Sequence, residues 1–359
     1  MALPNHGANP IRLYQQAGVE PPAAFIDFSE NIHPLGPPAF IHNNWQNYFS
    51  LIDQYPDPEA EPFRTAVAAF HQVEKSQVAA ANGAAEIFTW LARRYRGKQV
   101  ALVEPAFSEY RQTLEAENAS IKEIQLTEAN NWQLDVEFLN GKLTDCAALY
   151  ICNPHNPTGN LLSAKKMKEI ARLSSEAGCE LVVDEAFIDF IGEEASFVDH
   201  LSAYPHVIIV RSMTKMYAIA GLRLGYVLAM PELIKQLAAG AAHWNVNALS
   251  ATIGSSCLQE EKYRKEVIRS VNKERQKMTS FLKEQGCHFT DAAVNFLTFK
   301  LPSGKNPDHF FRDMLKKGMV LRHTYSFKGM DGQWFRIGMK SEKAMENLRR
   351  EMVLWLREN

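Results

Sequence analysis

The chain has 359 residues, 46% hydrophobic and 22% charged, with a net charge of −2. That length favours two domains, and the near-balanced charge argues against a nucleic-acid or polybasic membrane surface. No apolar run approaches a membrane span, the first residues lack the regions of a signal peptide, and five scattered cysteines without a CxxC pair predict neither a disulfide framework nor a metal site, so a cytoplasmic protein is the simplest expectation.

Residues 1–40 are rich in proline, glycine and asparagine and end in Asn31-Ile32-His33-Pro34-Leu35-Gly36-Pro37-Pro38. They read as an extended arm that is ordered only where something covers it. From 41 to 247, short apolar runs alternate with helical patterns. The runs include Val100–Val103, Ala147–Cys152, Leu181–Val183 and Val207–Val210. Runs that are apolar on both faces, separated by helices such as Ala164–Ala177, predict a mostly parallel α/β sheet covered on both sides. From 248 to 359 a long charged helix over Glu260–Gln285 precedes short strands at Phe296–Leu301 and Phe335–Met339, the pattern of a smaller α+β domain.

Several segments carry chemistry. Ser212-Met213-Thr214-Lys215 follows the last apolar run, and Arg223 lies eight positions after the lysine. An amine that condenses with an aldehyde must shed its proton, and a phosphate nearby calls for hydroxyl and guanidinium donors. Asp184 ends the run Leu181-Val182-Val183, at the strand edge where α/β sheets bind ligands. The loop Asn153-Pro154-His155-Asn156-Pro157-Thr158-Gly159 also follows a buried run, and its two X-Pro steps favour a turning backbone that aims Asn156. At Asn82-Gly83-Ala84-Ala85-Glu86 small residues open a helix, where free backbone N–H groups suit a phosphate. Each segment alone has an ordinary structural explanation, such as a helix cap, a surface lysine or a proline-rich turn. Together, in this order, they do not share one.

The ordered set resembles the fold type I pyridoxal-phosphate (PLP) enzymes of the aminotransferase-like family over nearly the whole chain. The resemblance implies a large mostly parallel-sheet domain, a smaller α+β domain joined by the N-terminal arm, and a homodimer with shared active sites. It implies that Lys215 carries the cofactor as a Schiff base and that Asp184 pairs with the pyridine nitrogen, which keeps the ring an electron sink. By the same match Asn156 bonds the ring oxygen and Phe107, in Glu104-Pro105-Ala106-Phe107, stacks on the ring. Gly83, Ala84, Ala85, Ser212, Thr214 and Arg223 hold the phosphate. Tyr55, in Tyr55-Pro56-Asp57-Pro58, reaches the phosphate of the partner subunit, and Arg336 grips the substrate carboxylate. One residue departs from the pattern. Phe187 stands where the family has a tyrosine donating to the ring oxygen, and losing that donor should let the cofactor imine keep its proton to higher pH.

His6-Gly7-Ala8-Asn9 and Asp27-Phe28-Ser29-Glu30-Asn31-Ile32-His33-Pro34-Leu35-Gly36 resemble the HGGN and DFSxNINPLG segments of threonine-phosphate decarboxylases, with Ala8 for glycine and His33 for asparagine. These enzymes make aminopropanol phosphate for cobalamin. The resemblance implies decarboxylation of L-threonine O-3-phosphate after the substrate amine displaces Lys215. Asn31, Asn156 and Arg336 then lie around the substrate, with His6 and Arg322 at its phosphate. Histidinol-phosphate aminotransferases share the Asn-x-x-Pro-x-Gly core and are the alternative. A non-catalytic protein of the same fold is the third reading.

Overall fold

The computed structural model describes residues 3–359. Near the N-terminus it departs from the expected extended arm. Pro10–Ala17 is a helix: Asn9 accepts from the Arg12 N–H, Pro10 takes the first helical position, and Gly18 closes the end with a left-handed φ of 64°. The asparagine, proline and glycine that pointed to open chain are the helix's capping residues. Leu13, Tyr14 and Ala17 are buried, and the Tyr14 hydroxyl donates to the Leu315 carbonyl at 2.9 Å. Strand β1 (Ile26–Asp27) then pairs in parallel with Met319–Val320. The arm is therefore packed against the C-terminal part of the chain.

Seven strands form the main sheet: β2 (Val78–Ala81), β3 (Gln99–Glu104), β4 (Ser120–Gln125), β5 (Ala148–Cys152), β6 (Glu180–Asp184), β7 (Val207–Ser212) and β8 (Gly225–Leu228). Their spatial order is β2-β8-β7-β6-β5-β3-β4. Every neighbouring pair is parallel except those made by β8, which runs antiparallel to both β2 and β7. Ala101 and Val103 face one hydrophobic core, while Val100 and Leu102 face the other. This is the alternation a strand imposes, and it explains why the run is apolar throughout. The C-terminal ends of β3, β5, β6 and β7 share one edge, and the loops leaving that edge carry the residues singled out above.

A second sheet holds β9 (His288–Phe289), β10 (Phe296–Lys300), β12 (Arg322–His323) and β13 (Trp334–Gly338), in the order β12-β13-β10-β9, while β11 (Met319–Val320) pairs with β1. All pairs in this sheet are antiparallel. The helices Glu261–Glu284 and Glu342–Glu358 pack on one another. The helix Ala248–Cys257 lies against the helix Phe63–His71. Gly254 allows this approach, since a Cβ there would overlap Leu224 and meet the Phe63 ring at 3.0 Å. Among the described residues no helix is long and apolar enough to cross a membrane.

Candidate active site

A cavity of about 280 Å3 opens between the strand ends of the seven-stranded sheet, the arm and the four-stranded sheet. Lys215 lines it. Its ammonium donates to the Thr214 hydroxyl at 2.8 Å and lies 3.4 Å from the Ser212 hydroxyl. Burial lowers the lysine to about 8. Asp184 opposes that shift, and the nearby Arg223 and Arg336 add to it. Desolvation thus leaves a substantial fraction of this amine neutral at physiological pH, where an exposed lysine would be almost wholly charged.

Asp184 ends β6 fully buried. Its Oδ1 accepts from the Ala186 N–H at 2.9 Å and its Oδ2 from the Tyr110 hydroxyl. Burial raises the carboxyl, against those two donors and Lys215. Tyr110 is a contact the sequence did not reveal, because nothing in a helix-forming stretch marks which hydroxyl turns inward. The loops that bear Asn156 and Phe107 are tied together by His155. Its Nε2 donates to the Pro105 carbonyl at 2.9 Å, and its Nδ1 accepts from Thr158 at 2.7 Å. Burial lowers this imidazole to about 4, so it stays neutral.

At one end of the cavity Ala84 and Ala85 open the helix Ala84–Arg94, facing Ser212, Thr214 and Arg223. Gly83 sits just behind, at φ 79°, and a Cβ there would come within 2.7 Å of the Arg223 guanidinium. Glycine is what lets that arginine lie across the helix start. At the other end, Arg336 from β13 donates to Asn156 Oδ1 at 2.6 Å and to the Ser29 carbonyl at 3.0 Å. Its Nε has no partner among the described residues, and neither has the buried Oδ1 of Asn31. Arg322 from β12 donates to the Asn5 carbonyl at 2.5 Å and to Ser326 at 2.6 Å. Burial lowers Arg322 to about 10 and Arg336 to about 9, the latter pushed further by Arg322 itself. Neither arginine forms an ion pair with a carboxylate among the described residues.

Of the residues read from the sequence, Ala84, Ala85, Phe107, Asn156, Asp184, Ser212, Thr214, Lys215 and Arg223 line the cavity, as do His6, Asn31, Arg322 and Arg336. Gly83 supports it from behind. Tyr55 does not reach it: the ring is 86% exposed and lies beside Trp244, with ring centroids 5.2 Å apart. Phe187 lines the cavity too, its ring edge-on to Phe296 and 5.9 Å from the Lys215 ammonium.

An amine lowered by burial, a buried carboxylate at a parallel-strand end, and a helix start flanked by hydroxyls and a guanidinium fit an aldehyde-bearing, phosphorylated pyridine, and so fit PLP. The chain belongs to the aminotransferase class I and II family, whose model matches residues 23–351, and it is a PLP-dependent enzyme. Among its relatives, it is 31% identical to the threonine-phosphate decarboxylase of Salmonella typhimurium, over 97% of this chain and 96% of that one. Its fold matches a histidinol-phosphate aminotransferase from Clostridium acetobutylicum with a TM-score of 0.87 at 26% identity, covering 92% of this chain and 99% of the other. It also matches the L-threonine-O-3-phosphate decarboxylase from Porphyromonas gingivalis with a TM-score of 0.81 at 22% identity, again over 92% and 99%.

Proposed function

We propose that the chain decarboxylates L-threonine O-3-phosphate to (R)-1-amino-2-propanol O-2-phosphate, a step of cobalamin biosynthesis. The observation that carries this reading is the cavity's far end. Two buried guanidiniums without carboxylate partners among the described residues, Arg322 and Arg336, face it together with His6. Buried cations of this kind call for an anionic ligand, and a substrate with a phosphate at one end and a carboxylate at the other supplies both. The Salmonella relative bears the matching name.

In this reading Asp184 would hold the pyridine nitrogen and Asn156 the ring oxygen. Phe107 would cover the ring face, and the Ala84–Ala85 helix start with Ser212, Thr214 and Arg223 would hold the phosphate. When bound, PLP supplies an aldehyde that captures the substrate amine and a protonated ring that accepts the electron pair of the broken bond. Asp184 keeps the proton on the ring nitrogen. Arg336 would grip the substrate carboxylate and so select the Cα–carboxylate bond, rather than Cα–H, as the one that breaks. Arg322 and His6 anchor the phosphate, and Phe187 and Phe327 give the cavity apolar wall. Lys215, held by Thr214, returns a proton to Cα after CO2 leaves.

Histidinol-phosphate aminotransferase is the second reading, favoured by the structural match at 26% identity. One incubation separates them. PLP-loaded protein with O-phospho-L-threonine and no keto acid should release CO2 and phosphorylated aminopropanol. No CO2, with conversion of histidinol phosphate once 2-oxoglutarate is added, would establish the aminotransferase instead.

The same reading includes a homodimer. Trp45, Phe49, Ile52, Tyr55 and Trp244 are large and exposed, and Tyr55 is absent from the cavity of its own chain. A second copy would cover that face and bring its Tyr55 to the phosphate end. Sedimentation should give a dimer, and a monomer with full cofactor affinity would overturn the shared site.

A further inference from the structure

Two anion-binding parts of the cavity's far end, the arm turn that bears His6 and the strand that bears Arg336, meet at one residue. Ser29 is 3% exposed and lines the cavity. Its carbonyl accepts from Arg336 at 3.0 Å. Its hydroxyl accepts from the Ala8 N–H at 3.0 Å and donates to Asp27 at 2.6 Å, and its own N–H donates to the same carboxylate oxygen at 2.8 Å. Asp27 thereby uses up the hydroxyl's proton, so the Ser29 oxygen faces the arm as an acceptor only.

The arm is fitted to this residue. A Cβ on Gly7 would overlap the Ser29 carbonyl oxygen and come within 2.9 Å of its hydroxyl, so only glycine lets the backbone lie this close. The next residue, Ala8, is held at φ 62°, in the left-handed region that alanine avoids. Backbone strain of this kind persists where the surroundings over-determine it, and the N–H of Ala8 is the group that Ser29 holds. On the other side the segment is fastened to the strand of Arg336: the Gly338 N–H donates to the Phe28 carbonyl at 2.8 Å, and a Cβ on Gly338 would overlap the Glu30 carbonyl.

We propose that Ser29 is a positioning residue that sets the turn bearing His6 against the strand bearing Arg336, so that the phosphate end and the carboxylate end of the site form as one unit. The assignment of those ends rests on the decarboxylase reading; the mechanical link does not. Arg336 draws on the Ser29 carbonyl and the arm on its hydroxyl, so a shift of either is passed to the other through one peptide unit.

The test compares Ser29→Ala with Ser29→Thr, which keeps the hydroxyl, in the PLP-loaded enzyme. Loss of one neutral hydrogen bond should speed amide hydrogen exchange at Ala8 about fivefold. KM for O-phospho-L-threonine should rise about as much, with kcat changed less than about twofold. The threonine variant should restore both. Gly7→Ala approaches the same contact from the arm and should speed the same amide if Ser29→Ala fails to fold. Unchanged exchange at Ala8 in the alanine variant overturns the proposal, and so does a kcat loss at constant KM. The exchange experiment needs no substrate, so it can overturn the arm's link to Ser29 even if the wild-type enzyme proves inactive on phosphothreonine.

Discussion

Replacing Arg322 by alanine probes the substrate end most directly. The guanidinium is 3% exposed, and its partners are carbonyls of Pro4 and Asn5, the Ser326 hydroxyl and the His323 ring. Burial lowers it to about 10, which corresponds to about 3 kcal/mol against the charged form. Such a cost is tolerable where a ligand anion offsets it. Two charge-assisted hydrogen bonds to a phosphate at ~1.5 kcal/mol each would return a similar amount. Arg322→Ala should therefore raise KM for O-phospho-L-threonine roughly hundredfold. Binding of unphosphorylated L-threonine, followed by the change in cofactor absorbance, should weaken less than about threefold, since that ligand never reaches Arg322. Thermal stability of the substrate-free enzyme should hold or rise, because the variant sheds a buried charge that lacks an anionic partner among the described residues. Equal losses on both ligands would refute the assignment of Arg322 to the phosphate.

Other outcomes follow from the same geometry. Lys215 is lowered to about 8, and its neutral form is the nucleophile. Capture of PLP by the apoprotein should therefore quicken about tenfold per pH unit below that point and level off above it; a rate still climbing at pH 10 would mean the amine is not desolvated. Gly83→Ala places a Cβ against Arg223 at a left-handed position, and should weaken PLP binding about tenfold or more, read by equilibrium dialysis, with affinity unchanged as the contrary result. Phe187→Tyr would add a hydroxyl beside the lysine. A new donor to the ring oxygen should lower the pH at which the bound cofactor changes colour, and an unmoved transition would show that the hydroxyl does not reach it.

How far the sequence revealed this site depended on what each residue answers to. Asp184, Asn156, Phe107 and Lys215 follow runs that are apolar on both faces, a pattern that favours buried strands of a covered sheet; their shared edge follows from the topology. The helix at Pro10–Ala17 was lost because its caps are the same residue types that mark open chain. Only the periodic burial of Leu13, Tyr14 and Ala17 distinguishes the two cases, and eight residues give that period little room. Contacts between distant segments left no local trace. Tyr110 on Asp184, His155 between two loops, and His33, whose Nε2 donates to the Met216 carbonyl at 2.8 Å, depend on how the elements dock. The neutral partners of Arg322 were equally hidden, since a buried arginine and a surface arginine read alike in a sequence.

The pairing of β2 with β8 bears on how this protein matures. Ala81 lies opposite Gly225, and a Cβ on Gly225 would come within 2.6 Å of the Ala84 amide nitrogen. The small residues at the helix start and the arginine laid across them thus come from chain segments made far apart in time during synthesis. Until the late strand docks antiparallel against the early one, the helix start has no guanidinium beside it and the lysine has no enclosing wall. A long-range contact of this kind forms late and slowly, whereas binding of the cofactor stabilises only the finished arrangement. Cofactor binding therefore draws the chain toward molecules whose first and last strands of the seven-stranded sheet have met.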